Sequence, residues 1–330
     1  LVSLSGASTL ANRQNQTGSM LSIIEPSVDS AGGMSIALTG AATSNTSLSV
    51  SSNLMRAQST GVSANNLSTV EAGSLSNVVA SLSNDQSMSG AAEAKLFNPT
   101  FAVSGSAVTG TVDISGNRGI AAATAASASN TLSVVSDTLI DGSSAGAVTL
   151  TTNASANFDS AGAPVAALLN RQVSTGVVNS IIDGETTDSA QVVLTGAMNG
   201  SLAVDSNMLV AQSRGNYADS TIAVSAGSTI DAGTQAVLAS NQNRSSGAIS
   251  AEVNGGTGAT LGATLASAGG SLSVDNNLVR ASGAANIAVN AMTISGGFSG
   301  SANTSGAVPT DAPAIATTAQ FAVLNGQQNG

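Results

Sequence analysis

The residue types that carry most enzyme chemistry are missing from this chain of 330 residues, which contains no histidine, no cysteine and no tryptophan. Serine and threonine therefore lack an imidazole base, and sites built on thiolate or imidazole ligands are excluded. Carboxylates remain, but only Asp205 and Asp275 recur at matching positions, beside Asn207 and Asn277. Two such acids form either a weak cation site or a pair of solvated turn residues. We expect turn residues, and we predict no catalytic residue, no metal ligand and no cofactor.

The strongest signal in the sequence is internal repetition. The segment LANRQ at 10–14 recurs as LLNRQ at 168–172, an offset of 158 residues, and SLSV at 47–50 recurs as SLAV at 201–204, an offset of 154. Weaker copies of the first element stand at 82–86, 238–242 and 324–328. Near-constant offsets of this kind indicate a stacked array, in which one unit buries its apolar face against the next.

The leucine that opens each copy defines the modules. Successive copies are separated by 72, 86, 70 and 86 residues. We therefore interpret the chain as one repeat array, with modules at 10–81, 82–167, 168–237 and 238–323 and partial modules at 1–9 and 324–330. Short and long modules alternate in this interpretation.

A second landmark divides each module, at 47–54, 131–138, 201–208 and 271–278. Half-modules of about 35 residues would be two turns of roughly 15–25 residues each, a usual size for a β-solenoid. The extra length would then be one additional turn, placed early in the second module and late in the fourth.

Composition favours an all-β fold with a narrow core. The chain is 42% hydrophobic but only 2% aromatic, so small aliphatic side chains must fill the interior. Apolar and polar residues alternate at several places, as in Leu48-x-Val50 and Ile222-x-Val224, which is typical of strands. The alanine-rich stretch Ala121–Ala128 lacks helix caps. The predicted fold is a parallel β-solenoid (β-helix) of about four imperfect modules of 70–86 residues.

Recurrent amides and arginines are expected to lie in rows along such an array. Asn53, Asn207 and Asn277 recur within the second landmark, and stacked amides form ladders between turns. Arg13 and Arg171 share one module position, as do Arg56 and Arg280. These guanidinium groups would either face solvent or pair with acids of a neighbouring subunit.

Charge and targeting signals exclude several partners. The net charge of −10 at a charged content of 8% argues against nucleic acid or an anionic membrane surface. No apolar run reaches the length of a membrane-spanning helix. The chain begins at Leu1 without methionine, from which we expect a processed mature chain. Whether the precursor carried a signal peptide stays open at this point.

The stretches 53–66, 207–220 and 277–290 resemble the degenerate Asn/Ala/Gly-Asn repeats of secreted bacterial adhesins. The Ala/Ser/Asn/Val repeats and the absence of cysteine are similar to those of holdfast-anchor proteins of stalked alphaproteobacteria. The resemblance implies an extracellular, polymerising or adhesive protein at the bacterial cell surface, and it carries no functional residue over to this chain.

The leading hypothesis is a non-catalytic structural subunit that assembles head-to-tail into a surface filament or adhesive fibre. Its main partner would be a second copy of itself, with a surface polysaccharide or an outer-membrane anchor as further partners. The repeat elements next to the two ends of the chain would meet in the assembly, and the expected residues are Leu10, Asn12, Gln14, Leu324, Gln327 and Gln328.

Other functions share parts of this pattern. A monomeric surface adhesin or a functional-amyloid-like matrix protein would have the same composition. An ice-binding solenoid needs a flat threonine array, which only Thr149, Thr151 and Thr152 approach. A solenoid enzyme acting on polysaccharides needs convergent acids or bases, and none recurs in the modules.

Overall fold

Every regular element in the described part of the chain is a β-strand. The computed structural model describes residues 3–24, 35–40, 43–141, 148–151, 158–160, 166–184, 189–231, 234–255, 260–299, 314–317 and 321–330. These ranges contain 24 strands, and no helix occurs in them. It follows that nothing there could cross a membrane as a helix. The all-β prediction is confirmed.

Most strands belong to three parallel sheets, in which strands from similar positions of successive modules lie side by side. The first sheet has the order β24-β18-β14-β6-β11-β17-β10-β5, with β1 on β6 and β22 on β17. The second has the order β19-β15-β7-β2, and the third β3-β8-β16-β9-β4, with β20 and β21 on β16. We call each successive level of these sheets a tier.

The tiers follow one another along the chain. The first tier contains β1 (Ser3–Gln16), β2 (Met20–Ile24), β3 (Ser35–Gly40), β4 (Thr43–Ser51) and β5 (Leu54–Ala72). The second contains β6 (Ser74–Met88), β7 (Ala92–Phe97), β8 (Thr100–Gly105), β9 (Val108–Ser115), β10 (Arg118–Ser136) and β11 (Leu139–Asp141). The third contains β14 (Ala166–Ser174), β15 (Val178–Gly184), β16 (Ser189–Asp205) and β17 (Met208–Asp231). The fourth contains β18 (Ala236–Arg244), β19 (Ile249–Gly255), β20 (Thr260–Ala268), β21 (Ser271–Asp275) and β22 (Leu278–Ser299), and β24 (Phe321–Asn329) lies above β18.

The predicted turn size is wrong. Parallel partners in register include Asn66 and Asn130, 64 residues apart, and Asn117 and Asn207, 90 residues apart. A return after 15–25 residues would pair strands within one half-module, and no parallel pair of the described strands does so. A tier therefore takes up a whole module, and each half-module contributes only part of a tier.

The predicted landmark of the second module is also wrong. Leu48 pairs with Val112, and Val112 pairs with Leu202, whereas Leu132 pairs with Ser68 and Ile222. The extra length of the second module therefore does not precede its landmark. It falls between β11 and β14, and the extra length of the fourth module falls at the corresponding corner, between β22 and β24.

A small antiparallel sheet connects these two longer segments. It consists of β12 (Val148–Thr151), β13 (Phe158–Ser160) and β23 (Ala314–Thr317), in the order β13-β12-β23. The third tier passes this corner in a few residues, between Asp231 and Ala236. The alternation of short and long modules thus has a structural counterpart at one corner of the tiers.

Mostly aliphatic side chains fill two main hydrophobic cores, and a third, smaller cluster on β14, β18 and β24 consists of Leu169, Val237, Ala239 and Leu324. The larger core lies among the second sheet, the third sheet and the first half of the long strands, and it includes Met55, Phe101 and Leu209. The smaller core lies within the first sheet and includes Leu82 and Leu132. The Ala121–Ala128 stretch is part of a strand, β10, in accordance with the absence of helix caps.

The long strands change their inward side between the two cores. In β10 the consecutive residues Ala125 and Ala126 are both buried, so the alternation of inward and outward side chains shifts by one residue. The preceding tier has Gly61 at this place, where a Cβ atom would collide with Met88 Sδ. The change of side lets one strand serve both cores.

A leucine truncation in the smaller core tests the assignment of inward positions. We expect Leu132→Ala to lower the free energy of unfolding by about 2–5 kcal/mol, because Leu132 is completely buried and its removal leaves a cavity. Leu67→Ala, at an exposed position of β5, should change it by less than about 0.5 kcal/mol. Urea titration followed by circular dichroism measures both, and equal losses would contradict the assignment.

Candidate assembly interface

A layer of buried amides separates the two cores. Its first column runs along β1, β6, β14 and β18, and its second along β5, β10 and β17. The first column is Asn12, Asn84, Asn170 and Ser240, and the second is Asn66, Asn130 and Ser220. Along β6 the layer lies between Leu82 of the smaller core and Met88 of the larger one.

Hydrogen bonds join the two asparagine columns both along the tiers and across the interior. Asn66 Nδ2 donates to Asn130 Oδ1 at 2.8 Å and to Asn84 Oδ1 at 3.1 Å. Asn84 Nδ2 donates to Asn170 Oδ1 at 2.8 Å. Because a buried amide without a partner is unfavourable, this network fixes which residues of successive tiers can face each other.

A glutamine ladder runs beside the asparagines through five levels. Each Nε2 donates to the Oε1 of the tier before it, at 2.9 Å from Gln86 to Gln14 and 2.8 Å from Gln172 to Gln86. The bonds from Gln242 to Gln172 and from Gln327 to Gln242 measure 2.8 and 3.3 Å. The ladder is therefore directional, with its free acceptor on the last glutamine.

The same glutamines also bind the opposite strand. In the first four tiers the Nε2 groups donate to main-chain carbonyls at 2.8–2.9 Å, and the acceptors are the carbonyls of Ser63, Ser127, Tyr217 and Ile287. These acceptors lie in register on β5, β10, β17 and β22. Each of these glutamines from the second tier onward is thus hydrogen-bonded to the previous tier. Each of the four also joins two opposite strands of its own tier.

A second ladder of amides marks a corner of every tier. Asn53, Asn117 and Asn207 each donate from the backbone N–H and from Nδ2 to the Oδ1 of the asparagine in the next tier, at 2.9–3.1 Å, ending on Asn277. The corner ladder runs in the direction opposite to that of the glutamine ladder. The prediction of stacked asparagines at recurrent bends is confirmed.

The residue before each corner asparagine adopts a left-handed conformation. Positive φ angles of 58°, 65°, 56° and 51° occur at Ser52, Gly116, Ser206 and Asn276. Side chains other than glycine are strained in this region. Each of these four residues directly precedes the stacked asparagine of its corner.

The fourth tier exposes side chains that the earlier tiers bury. Leu202, Val204 and Leu209 are at most 2% exposed, whereas their register partners Leu272, Val274 and Val279 are 52%, 43% and 45% exposed. The first tier exposes Met20, whose register partner Ala92 is buried, and it also has the exposed apolar residues Leu21, Ile23, Leu54 and Leu67 at outward positions. We call the outer surface of β21 and β22 the fourth-tier face, and the outer surface of β2 and β5 the first-tier face.

The six residues expected in the assembly lie at opposite ends of one sheet. Leu10, Asn12 and Gln14 are on β1, and Leu324, Gln327 and Gln328 are on β24, with β6, β14 and β18 between them. Within one chain these two groups are therefore apart. The alignment of Leu324 with Leu238 is wrong by one residue, because Val323 pairs with Leu238 and Gln327 pairs with Gln242.

One arginine row is an ion-pair ladder within the chain. Asp85 lies between Arg13 and Arg171, with its Oδ1 2.7 Å from Arg171 Nη1 and its Oδ2 3.7 Å from Arg13 Nε. Arg13 faces solvent as expected, with 67% of its side chain exposed, whereas Arg171 is bound to an acid of its own chain. Arg56 and Arg280 do share a column, but Ile120 and Val210 lie between them.

The recurrent acids do not assemble a metal site in the described residues. Asp205 and Asp275 are direct register partners, and Ser273 Oγ donates to Asp275 Oδ2 at 2.7 Å. Asp205 Oδ1 is buried without a hydrogen-bond partner. No group of three or more acidic side chains with the geometry to hold a metal ion occurs in the part of the chain described above.

Among the asparagines and arginines of this framework, those not found from the sequence are Asn66, Asn130, Asn117 and Arg244. Asn117 was missed because the second landmark was aligned with 131–138. The usable signal was the spacing of three residues from an aliphatic residue to asparagine, which Ile114 and Asn117 share with Val50 and Asn53. The framework also depends on Arg244, which has no counterpart in the other modules and therefore left no repeat signal.

Arg244 is a buried cation that binds the third tier. Its Nη1 donates to Ser174 Oγ at 3.0 Å, and its Nη2 donates to three carbonyl oxygens, of which the nearest is Gly176 O at 2.7 Å. Burial lowers the pKa of the Arg244 guanidinium from its ordinary value. The side chain thus fastens the turn after β18 to the turn below it.

Comparison with known proteins gives no match. No protein family fits the chain, no characterised protein is similar to it, and no solved structure resembles it.

The glutamine ladder can be tested by a truncation at its centre. We expect Gln172→Ala to lower the free energy of unfolding by about 3 kcal/mol, because Tyr217 O and Gln86 Oε1 lose their donor in a buried place. Gln58→Ala on the outer side of β5 is the matched control and should change it by less than about 0.5 kcal/mol. A loss of under 1 kcal/mol at Gln172 would show that the ladder adds little to stability.

The left-handed conformation at Ser206 predicts a substitution that stabilises the protein. Ser206→Gly should raise the free energy of unfolding by about 0.5–1 kcal/mol, because glycine tolerates the φ of 56° without steric strain. Ser133→Gly, within β10, should instead lower it by about 0.5–1 kcal/mol through the added entropy of the unfolded chain. Thermal melts of the two variants measure the difference, and a loss at both positions would contradict the strain argument.

Proposed function

We propose that this chain is a non-catalytic structural subunit of the bacterial cell surface, built as a closed parallel β-solenoid that stacks end to end with further copies. In this proposal each of the four modules forms one coil, and the tiers are its successive turns. The product is a filament or adhesive fibre. The observation that carries the proposal is the fourth-tier face, where interior side chains such as Leu272 and Val279 lie exposed.

The two outer faces are chemically matched. The segment SLSVSSNL at 47–54 and the segment SLSVDNNL at 271–278 differ in only two positions. Stacking a second copy in the register of the existing tiers would put Leu54 on Leu278 and Val50 on Val274. Covering aliphatic side chains stabilises such a contact by roughly 25 cal/mol for each Å² of apolar surface removed from water.

The corner ladder gives this contact a direction. Asn53 Oδ1 faces outward with no donor among the described residues, while the backbone N–H of Asn277 has no acceptor there. In the three existing steps the lower asparagine donates to the Oδ1 of the next. A second copy above the fourth tier would continue the pattern, with Asn277 donating to its Asn53. Two fourth-tier faces would instead oppose donor to donor, and two first-tier faces acceptor to acceptor.

The remaining features support a structural role outside the cytoplasm. The chain has no histidine and no cysteine, and its buried polar groups are mostly used in ladders between tiers rather than converging on a cleft. Low charge and a surface of hydroxyl and amide groups are compatible with a secreted adhesive protein. A surface polysaccharide or an outer-membrane anchor would be secondary partners of the same fibre.

Assembly is tested by concentration series. We expect the purified chain to elongate into unbranched filaments as concentration rises, observed by analytical ultracentrifugation and negative-stain microscopy. Val279→Lys should raise the concentration required at least tenfold, because the lysine would place an unpaired charge against the interior of the next copy. Val177→Lys, at an exposed apolar turn of the third tier, is the control and should assemble as the unchanged chain does. Strictly monomeric particles at all concentrations would overturn the proposal.

The direction of stacking is tested by blocking each face separately. Met20→Lys blocks the first-tier face and Val274→Lys the fourth-tier face, because both side chains are exposed at inward positions of the end tiers. Each variant alone should remain monomeric, and an equimolar mixture should form dimers and stop, because only one pair of unblocked faces remains. Dimers of a single variant would reveal contact between identical faces and would contradict the head-to-tail arrangement.

A further inference from the structure

The strand β24 covers the edge of β18, and the head-to-tail contact requires that edge to be free. It pairs in parallel with β18 from Phe321 to Asn329, and none of the described strands pairs with its other side. At the remaining positions of the fourth tier the outer strands are β19, β20, β21 and β22. β24 is thus a single strand one level above its tier.

A second copy stacked on the fourth tier would bring its own β1 to the same place. Within the chain, β2 to β5 lie one level below β7 to β10, and β1 lies one level below β6. If the second copy's β2 and β5 lie on β19 and β22, its β1 must lie on β18. One edge of β18 can pair with only one strand, so β1 of the incoming copy and β24 compete for it.

The glutamine of β24 is bound less well than the glutamines of the corresponding strands. The ladder bond from Gln327 to Gln242, at 3.3 Å, is the longest of the four steps. The glutamines of the first four tiers also donate to a carbonyl of the opposite strand, whereas a described partner of that kind is not found for Gln327. Val323 occupies an inward column in which Leu82, Leu168 and Leu238 are fully buried, yet it is 46% exposed.

β1 fits the edge of β18 better than β24 does. In the register of the existing tiers Leu10 would lie on Leu238, Asn12 on Ser240 and Gln14 on Gln242, which repeats the pairing between the first and second tiers. The incoming copy also brings β5, the strand opposite its β1. Gln14 Nε2 of β1 already donates a hydrogen bond to Ser63 O of β5 within the first tier. It therefore supplies both kinds of glutamine bond. β24 contacts the opposite strand differently, through Asn286 Nδ2 of β22, which donates to Gln328 O at 3.0 Å and to Asn329 Oδ1 at 2.7 Å.

We propose that the edge of β18 is the docking site for β1 of a second copy, and that this strand joins the filament by displacing β24. The inference rests on the proposed end-to-end assembly and specifies its mechanism. The backbone bonds of β24 to β18 are replaced one for one, while the two bonds from Asn286 to β24 are broken. The net gain therefore comes from the second copy's opposite strand and from covering the fourth-tier face. Until exchange occurs, β24 protects the edge from unspecific pairing.

A reversible disulfide between β18 and β24 tests whether β24 must be displaced for assembly. Asn243 and Gln328 are outward register partners on β18 and β24, and neighbouring strands lie about 4.8 Å apart, within the reach of a disulfide. Because the chain contains no cysteine, the double variant Asn243→Cys/Gln328→Cys can form only this bond within the molecule. The oxidised protein should remain monomeric at concentrations at which the unchanged chain forms filaments, and reduction should restore assembly in the same sample.

The matched control locks a pair that the exchange does not separate. Asn15 and Ser87 occupy the same column on β1 and β6, and Asn15→Cys/Ser87→Cys should assemble equally well oxidised and reduced. Filaments of the oxidised Asn243→Cys/Gln328→Cys chain would overturn the displacement of β24 and leave end-to-end assembly intact. An unchanged chain that stays monomeric would instead overturn the proposed function, and the docking site with it.

Discussion

The register between parallel strands from different modules is the constraint on which the rest of the structure depends. A strand pair formed across 64–90 residues of chain has few local signals to hold it, and a slip of one residue would turn every inward side chain outward. Buried amides prevent the slip, because an asparagine or glutamine out of register loses its partners in a place without water. The ladders on Asn84 and Gln86 therefore set the alignment, and the aliphatic columns follow from it.

The two ladders also explain how a core almost without aromatic residues can be well defined. Alanine, valine and leucine pack in many similar ways, so a purely aliphatic interior specifies one arrangement only weakly. The amide layer divides the interior into two narrow cores, and each core needs only small side chains. The change of inward side at Ala125 and Ala126 lets a single long strand line both cores. Polar groups thus contribute specificity where aliphatic packing contributes burial.

Short and long modules alternate because the connection at one corner of the tiers can vary in length. Tiers must match along their strands, but the connection between β11 and β14, or between β22 and β24, can lengthen without disturbing a ladder bond. Both long segments contribute strands to one small antiparallel sheet. The proposed assembly depends on the same property, that each tier contacts only the tiers next to it. A further copy therefore needs only to match the last tier. Donors and acceptors that alternate along the ladders give such growth a direction.

The sequence by itself determined the all-β class, the repeats, the recurrence of amides and the absence of histidine and cysteine. It located Leu10, Leu82, Leu168 and Leu238 in one column, because strand pairing preserves inward leucines. Only the tertiary structure decided that a tier spans a whole module, that Asn117 completes the corner ladder and that Val323 rather than Leu324 continues the column. These outcomes depend on hydrogen bonds between residues distant in the chain. An alignment of the modules from a few degenerate sequence matches can be wrong by one residue or by half a module. Only the observed strand pairing gives the correct alignment.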